Sequence, residues 1–237
     1  MTRARLLWIR TPAIVAALCL AQSVAASGVN LSWNDCGAYG ASNRNSPCSA
    51  NSGTNAIIGS FVPPPGINAL VALEATLQVQ VSSPVLPSWW QMRAGNGCRP
   101  TSFSAQFAFQ SLSSCIDYFQ GQAIGGTDYA VGFGAANRAR IRVVCAIGID
   151  SGSPVDSGSE YYAFQLLFNN ARSDECSGCL SPACIILDSI DLYQPGSDNP
   201  AKLTGPANRS MVTWQGGECS GGVRNRTFGQ IKSIYRN

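Results

Sequence analysis

Several stretches of the chain alternate apolar and polar residues with a period of two. Val71, Leu73, Ala75, Leu77, Val79 and Val81 alternate with Glu74, Thr76, Gln78 and Gln80. Phe103, Ala105, Phe107 and Phe109 alternate with Ser102, Ser104 and Gln106, and Ile141, Val143, Cys145, Ile147 and Ile149 with Arg140 and Arg142. Tyr162, Phe164, Leu166 and Phe168 stand opposite Gln165 and Asn169. A strand with one face on a core and one toward water leaves this period. Segment 184–193 is apolar on both sides and its phase shifts between Leu187 and Ile190, which predicts a buried strand or a bulge. Weaker strands are expected at 29–33, 55–62, 129–134 and 210–215.

Helix signals are poor, and the connectors carry turn chemistry: Pro63-Pro64-Pro65-Gly66, Gly95-Asn96-Gly97, Gly125-Gly126 and Pro195-Gly196. Many short strands joined by such loops predict an all-β fold, an antiparallel two-sheet β-sandwich of jelly-roll or Ig-like type. Neither an internal repeat nor a linker long enough to divide the chain is evident. The expected organisation is a signal peptide over 1–26 and a single domain over 27–237.

The signal peptide is read from Arg3, Arg5 and Arg10, an apolar run from Pro12 to about Val24, and the small residues Val24-Ala25-Ala26. The run is about half a dozen residues short of the ~20 that a bilayer demands, so a cleaved leader is expected rather than an anchor. Cleavage near Ala26 removes Cys19 and the three arginines. Of 16 basic and 13 acidic residues, 13 of each then remain. A near-neutral chain gives no support for nucleic acid or an anionic membrane as partner. The expected location is outside the cell or in the cell envelope, with no membrane span after cleavage.

The sequence has ten cysteines and no histidine. In an exported chain the cysteines read as staples: Cys36, Cys48, Cys98, Cys115, Cys176, Cys179, Cys184 and Cys219. Cys36 and Cys48 flank a Gly/Asn/Ser loop that a local bridge would pin, and Cys98 and Cys115 flank the 102–109 strand. The pairing among the last four is open. Cys145, on the apolar phase of its strand, is expected to be a buried free thiol. Cys176-Ser-Gly-Cys179 with Cys184 has as its alternatives a redox pair or a zinc site completed by Cys219.

Without histidine, Ser-His-Asp and Cys-His catalysis is excluded. A glycoside-active enzyme would need a carboxylate pair from Asp117, Asp128, Glu160, Asp188 and Asp191, and no spacing singles one out. Asp150, Asp156 and Glu160 around a Gly/Ser loop form a calcium candidate, set against a plain solvated hairpin. Trp89-Trp90 is the densest aromatic feature, read either as a lid on the core or as a ligand platform for sugar rings. No catalytic residue and no cofactor is expected.

Asn30-Leu-Ser-Trp-Asn-Asp-Cys36, Leu86-Pro-Ser-Trp-Trp-Gln91, Cys176-Ser-Gly-Cys179 with Pro182-Ala-Cys184, Thr213-Trp-Gln-Gly-Gly217 and the C-terminal Arg224–Arg236 stretch resemble a group of uncharacterised secreted β-rich proteins of environmental bacteria. The resemblance runs over nearly all of the mature chain and brings no activity with it. The run from Tyr161 to Asn170, a cysteine-bearing loop and Ile185–Tyr193 are similar to the closing strands of carbohydrate-binding jelly rolls. The expected function is therefore a secreted, non-catalytic structural or adhesive protein. The alternative is a carbohydrate-binding module using Trp89 and Trp90, with a polysaccharide or a cell-surface component as partner.

Overall fold

In the computed structural model of the chain, the described residues are 26–92, 95, 97–108, 113–148, 152, 154–173 and 176–219. Residues 1–25, most of the segment read as a leader, together with Asp150 and the segment 220–237 lie outside them. The described residues form twelve strands: β1 (Gly28–Trp33), β2 (Asn43–Arg44), β3 (Thr54–Val62), β4 (Ala72–Val81), β5 (Phe103–Gln106), β6 (Ile116–Asp117), β7 (Ile124–Val131), β8 (Arg138–Ala146), β9 (Tyr161–Asn169), β10 (Ala183–Tyr193), β11 (Ala201–Leu203) and β12 (Met211–Trp214). Among these residues the only helical element is a single 3-10 turn at Ser88–Trp90.

Two sheets result. One runs β1-β3-β9-β5, with β6 also on β9. The other runs β2-β12-β10-β4-β8-β7, with β11 also on β10. The ladders are antiparallel except where two-residue β2 and β6 meet β12 and β9 in parallel. Pieces that short leave no period in the sequence, and with three-residue β11 they are strands that alternation does not forecast; Gly125-Gly126, read as a turn, instead lies inside β7, paired with Cys145 and Val144.

The sheets face each other across one apolar layer. Leu73, Ala75, Leu77, Val79 and Val81 of β4, Ile141 and Val143 of β8 and Ile185, Leu187 and Ile190 of β10 meet Leu31, Ile57, Phe61, Phe164 and Phe168 of the other sheet. β4 alternates strictly between buried and half-buried positions along its whole length. The phase shift read in segment 184–193 is a break in register between Leu187 and Ser189 against β4, which turns Asp188 to the outer face.

The two outer faces differ. That of the five-stranded sheet is covered. Ile58 and Tyr162 form a small second cluster with Cys36 and Cys115. Beside it Arg209 clamps the 37–40 loop, its Nη2 donating to Ser32 Oγ (2.8 Å) and to the carbonyls of Gly37 (3.0 Å) and Gly40 (2.7 Å). Among the described residues the outer face of the seven-stranded sheet carries no such cover over β4 and β8: residues 74, 76, 78, 80, 138 and 140 are half-buried and Arg142 is exposed.

Four disulfides join segments far apart in sequence: Cys36–Cys115, Cys48–Cys179, Cys98–Cys176 and Cys184–Cys219, at separations of 79, 131, 78 and 35 residues. Cys36 does not close onto Cys48, and Cys98 does not close onto Cys115. The reason lies in loop docking. Asp35 Oδ1 accepts from the backbone N–H of Ser114 (2.6 Å), which brings the 113–115 loop to Cys36. Asn51 and Arg172 exchange hydrogen bonds (2.7 and 3.0 Å) and Arg172 Nη2 donates to the Cys48 carbonyl (3.0 Å), which carries Cys48 across to the 170–179 connection. Cys176 and Cys179 thus serve two separate bridges, which leaves neither thiol for a redox pair or a zinc ion.

Candidate functional site

The sequence candidates scatter. Trp89 and Trp90, in the 3-10 turn, are 2% and 1% exposed and join Trp33, Trp214 and Phe168 in one aromatic cluster. Neither indole offers a face to a sugar, which corrects the ligand-platform reading. Pro87 sets the turn's entry, and Leu86 beneath it is itself core, so the chain is drawn inward at this point. Trp214 Nε1 donates to the Cys179 carbonyl (2.6 Å) and Trp33 Nε1 to that of Thr213 (2.9 Å), the partners that buried indoles require.

The calcium candidate is not assembled among the described residues, which contain no group of three or more potential ligands. Glu160 turns away from the 150–160 loop. Its Oε1 accepts from Asn30 Nδ2 (2.8 Å) and Ser60 Oγ (2.5 Å). Gly37 packs so tightly on this carboxylate that a Cβ there would fall 2.4 Å from Oε2.

The remaining carboxylates have local duties. Asp117 accepts the backbone N–H groups of Phe119 and Gly121 (3.1 Å each) and closes a turn. Asp191 pairs with Lys202 (3.0 Å). Asp128 stands across from Arg142 on β7. Asp188, half-buried, accepts from Gln78 Nε2 (2.7 Å). Burial raises the Asp188 pKa above the usual carboxylate value, against the opposing pull of the Gln78 bond and Arg138.

Cys145 points between the sheets, 3% exposed, with its Sγ 4.0 Å from the Ala163 carbonyl. Burial pushes the thiol pKa up to about 12, which makes it a poor nucleophile at neutral pH.

What the structure brings together is a polar surface on the open face. Across β8 and β4, Arg138 pairs with Gln80, Arg140 with Gln78, Arg142 with Thr76 and Val144 with Glu74. Arg142 donates to Glu74 Oε1 through Nε (3.0 Å) and Nη2 (2.6 Å). At the other end a shallow apolar hollow of about 320 Å³ is lined by Ala72, Ile124, Gly125, Val144 and Tyr193 among others, with Ile124 83% exposed.

Arg44, Arg99, Arg142, Arg172 and Arg209 each donate to protein oxygens. The Nε atoms of Arg138 and Arg140 are buried with no acceptor among the described residues, as is the Nε of Arg99. The Arg140 guanidinium lies 4.1 Å from the centroid of the exposed Phe133 ring. The sequence signal for Arg140 is the polar phase of the 140–149 alternation, which Arg138 continues two residues upstream. That phase shows which way the arginines point and says nothing of whether an oxygen awaits them.

No family model matches the sequence, and no curated protein matches it. A solved structure, the cohesin module from a Clostridium perfringens family 33 glycoside hydrolase, is similar to this chain at a TM-score of 0.34 and 8% identity, over 79% of this chain and 94% of the module.

Proposed function

We propose that the mature protein is an exported, non-catalytic β-sandwich with a structural or adhesive role at the cell envelope or outside the cell, and that it docks through the outer face of its seven-stranded sheet. One observation carries this reading. One outer face is closed by the 37–40 loop, Arg209 and the Cys36–Cys115 bridge, while the other presents a polar surface on β4 and β8 that no described residue covers in the same way. A rigid sheet face of that kind positions groups for contact without ordering a loop on binding.

Supporting it are the four long-range disulfides, which suit an oxidising compartment. No helix among the described residues is long and apolar enough to cross a membrane. The sequence contains no histidine to serve as a general base.

The test is expression with the native leader, cell fractionation and thiol counting, followed by retention of the purified chain on cell envelopes. The expected result is an oxidised protein outside the cytoplasm whose retention is lost in Thr76→Tyr, a bulky substitution at the middle of the open face that a strand surface accommodates. A reduced cytoplasmic protein, or retention indifferent to Thr76→Tyr in a folded variant, overturns the reading.

A further inference from the structure

We infer that the Arg138/Arg140 end of the open face binds an acidic polysaccharide, with the two guanidiniums taking sugar carboxylates. The inference rests on the reading of this face as the docking surface and adds the chemistry of what docks.

Arg138 and Arg140 occupy alternate positions of β8, so their side chains leave the same face about 7 Å apart. A guanidinium presents a planar fork of donors matched to carboxylate oxygens, and leaving those donors unanswered is costly. Arg99, Arg138 and Arg140 each have a buried Nε without a hydrogen-bond partner; Arg99 donates instead through Nη1 and Nη2 to the carbonyls of Trp89 and Asn169, whereas Arg138 and Arg140 make no such compensating bond among the described residues. Among the described residues the other five arginines each donate to a protein oxygen.

The charges around the pair are sorted along the strand. Glu74 and Asp128 both act on Arg142, one row away, and Asp191 is held by Lys202. Asp188 is the carboxylate that acts on Arg138, and it is engaged by Gln78. Asp188, held by Gln78, and Glu218, which lines a hollow with Gln80, are the carboxylates at this end, and the two guanidiniums are what it offers an anionic occupant.

The neighbouring groups favour a sugar over a peptide. β8 is an interior strand, flanked by β4 and β7, so a peptide cannot add to it through main-chain hydrogen bonds, which require an edge. An occupant lying on a sheet face must bring its own dense donors and acceptors, as hydroxyls and carboxylates on successive rings do. Gln78 and Gln80 stand directly across from Arg140 and Arg138, with Gln78 Nε2 held by Asp188. Phe133, 47% exposed under the Arg140 guanidinium, holds that plane and offers an apolar edge to the C–H face of a ring.

The experiment uses the whole oxidised mature chain and measures binding to polygalacturonate, with dextran as the neutral polymer and poly-glutamate as the acidic peptide. The expected result is binding to polygalacturonate that weakens as salt is raised and is absent with dextran. Combined Arg138→Gln and Arg140→Gln weakens it at least about tenfold with the melting temperature unchanged, while Arg142→Gln stays within about twofold. If the double variant does not fold, Arg140→Lys serves. It keeps the charge, loses the fork, and should bind less tightly than the parent. Polygalacturonate binding that ignores both arginines, equal binding of poly-glutamate, or no binding at low salt overturns the inference. A protein retained on envelopes in a Thr76-dependent way that ignores polygalacturonate sinks the ligand and leaves the docking face standing. Polygalacturonate binding through Arg138 and Arg140 in a protein whose retention is indifferent to Thr76→Tyr does the reverse.

Discussion

The guanidinium carbon of Arg99 lies 3.5 Å from the centroid of the Trp89 ring, and the same side chain donates through Nη1 to the Trp89 carbonyl at 2.6 Å. Its Nη2 donates to the carbonyl of Asn169. Arg99 is 1% exposed, and burial lowers its pKa to about 10, so it stays charged at neutral pH inside the molecule. One residue thereby ties the tryptophan turn to the end of β9, with backbone carbonyls and an aromatic face in place of water.

Trp89→Ala removes the ring that this cation covers and that stacks on Trp214 at 6.3 Å. The expected loss is about 3–5 kcal/mol. Arg99→Lys should also destabilise, by about 2 kcal/mol, because an ammonium cannot bridge two carbonyls while lying flat on an indole. Urea unfolding of both variants is the check, and a cost below about 1 kcal/mol for Trp89→Ala would count against the buried cluster.

The disulfides should rank by the loop each one closes. In the chain-entropy account, Cys48–Cys179, spanning 131 residues, contributes about 5 kcal/mol, and Cys184–Cys219, spanning 35, about 4 kcal/mol. Replacing each pair by alanines and comparing denaturant midpoints tests the order. A Cys36→Ala single variant should release a thiol at Cys115, not at Cys48, which peptide mapping reads directly.

Cys145 should resist alkylation in the native protein. With its pKa pushed up to about 12 and 3% exposure, the thiolate fraction at pH 8 is about one in ten thousand. Iodoacetamide should label it only in denaturant. Cys145→Ser places a hydroxyl in an apolar layer and should cost about 1–3 kcal/mol, more than Cys145→Ala. Rapid labelling of the folded chain would refute the buried placement.

Asp188 sets a pH dependence whose sign follows from its raised pKa. The folded state holds the proton more tightly than the unfolded chain does. Stability from this group is therefore fully present below the unfolded carboxylate pKa and is lost as pH rises through the higher folded value. Asp188→Asn keeps an acceptor for Gln78 and removes the charge. Its melting temperature relative to the parent should climb from pH 3.5 to pH 7, and a difference that stays flat or falls over that range would contradict the assignment.

Much of the sandwich was legible in the chain because one-sided burial writes its period into local sequence. β4 reads as Leu73-x-Ala75-x-Leu77-x-Val79-x-Val81 and folds with those residues inward, and the slip between Leu187 and Ile190 marks a break in register that tertiary pairing then exposes at Asp188. β2 and β6, two residues each, left no such trace. Trp89-Trp90 showed that large rings were present without showing where the turn would aim them.

Residue alternation by itself determined the long strands β4, β8 and β9, and with them the sheet faces, because a pleated strand assigns each side chain to a side through its neighbours in sequence alone. Tertiary structure decided what depends on distance through space: which cysteine meets which, that Arg99 is roofed by Trp89 and fed by distant carbonyls, and that, among the described residues, one outer face is closed while the other holds two arginines whose Nε atoms find no acceptor. A disulfide, a buried cation and an uncovered surface each require loops remote in sequence to arrive at, or stay away from, one place. No local period records that arrival.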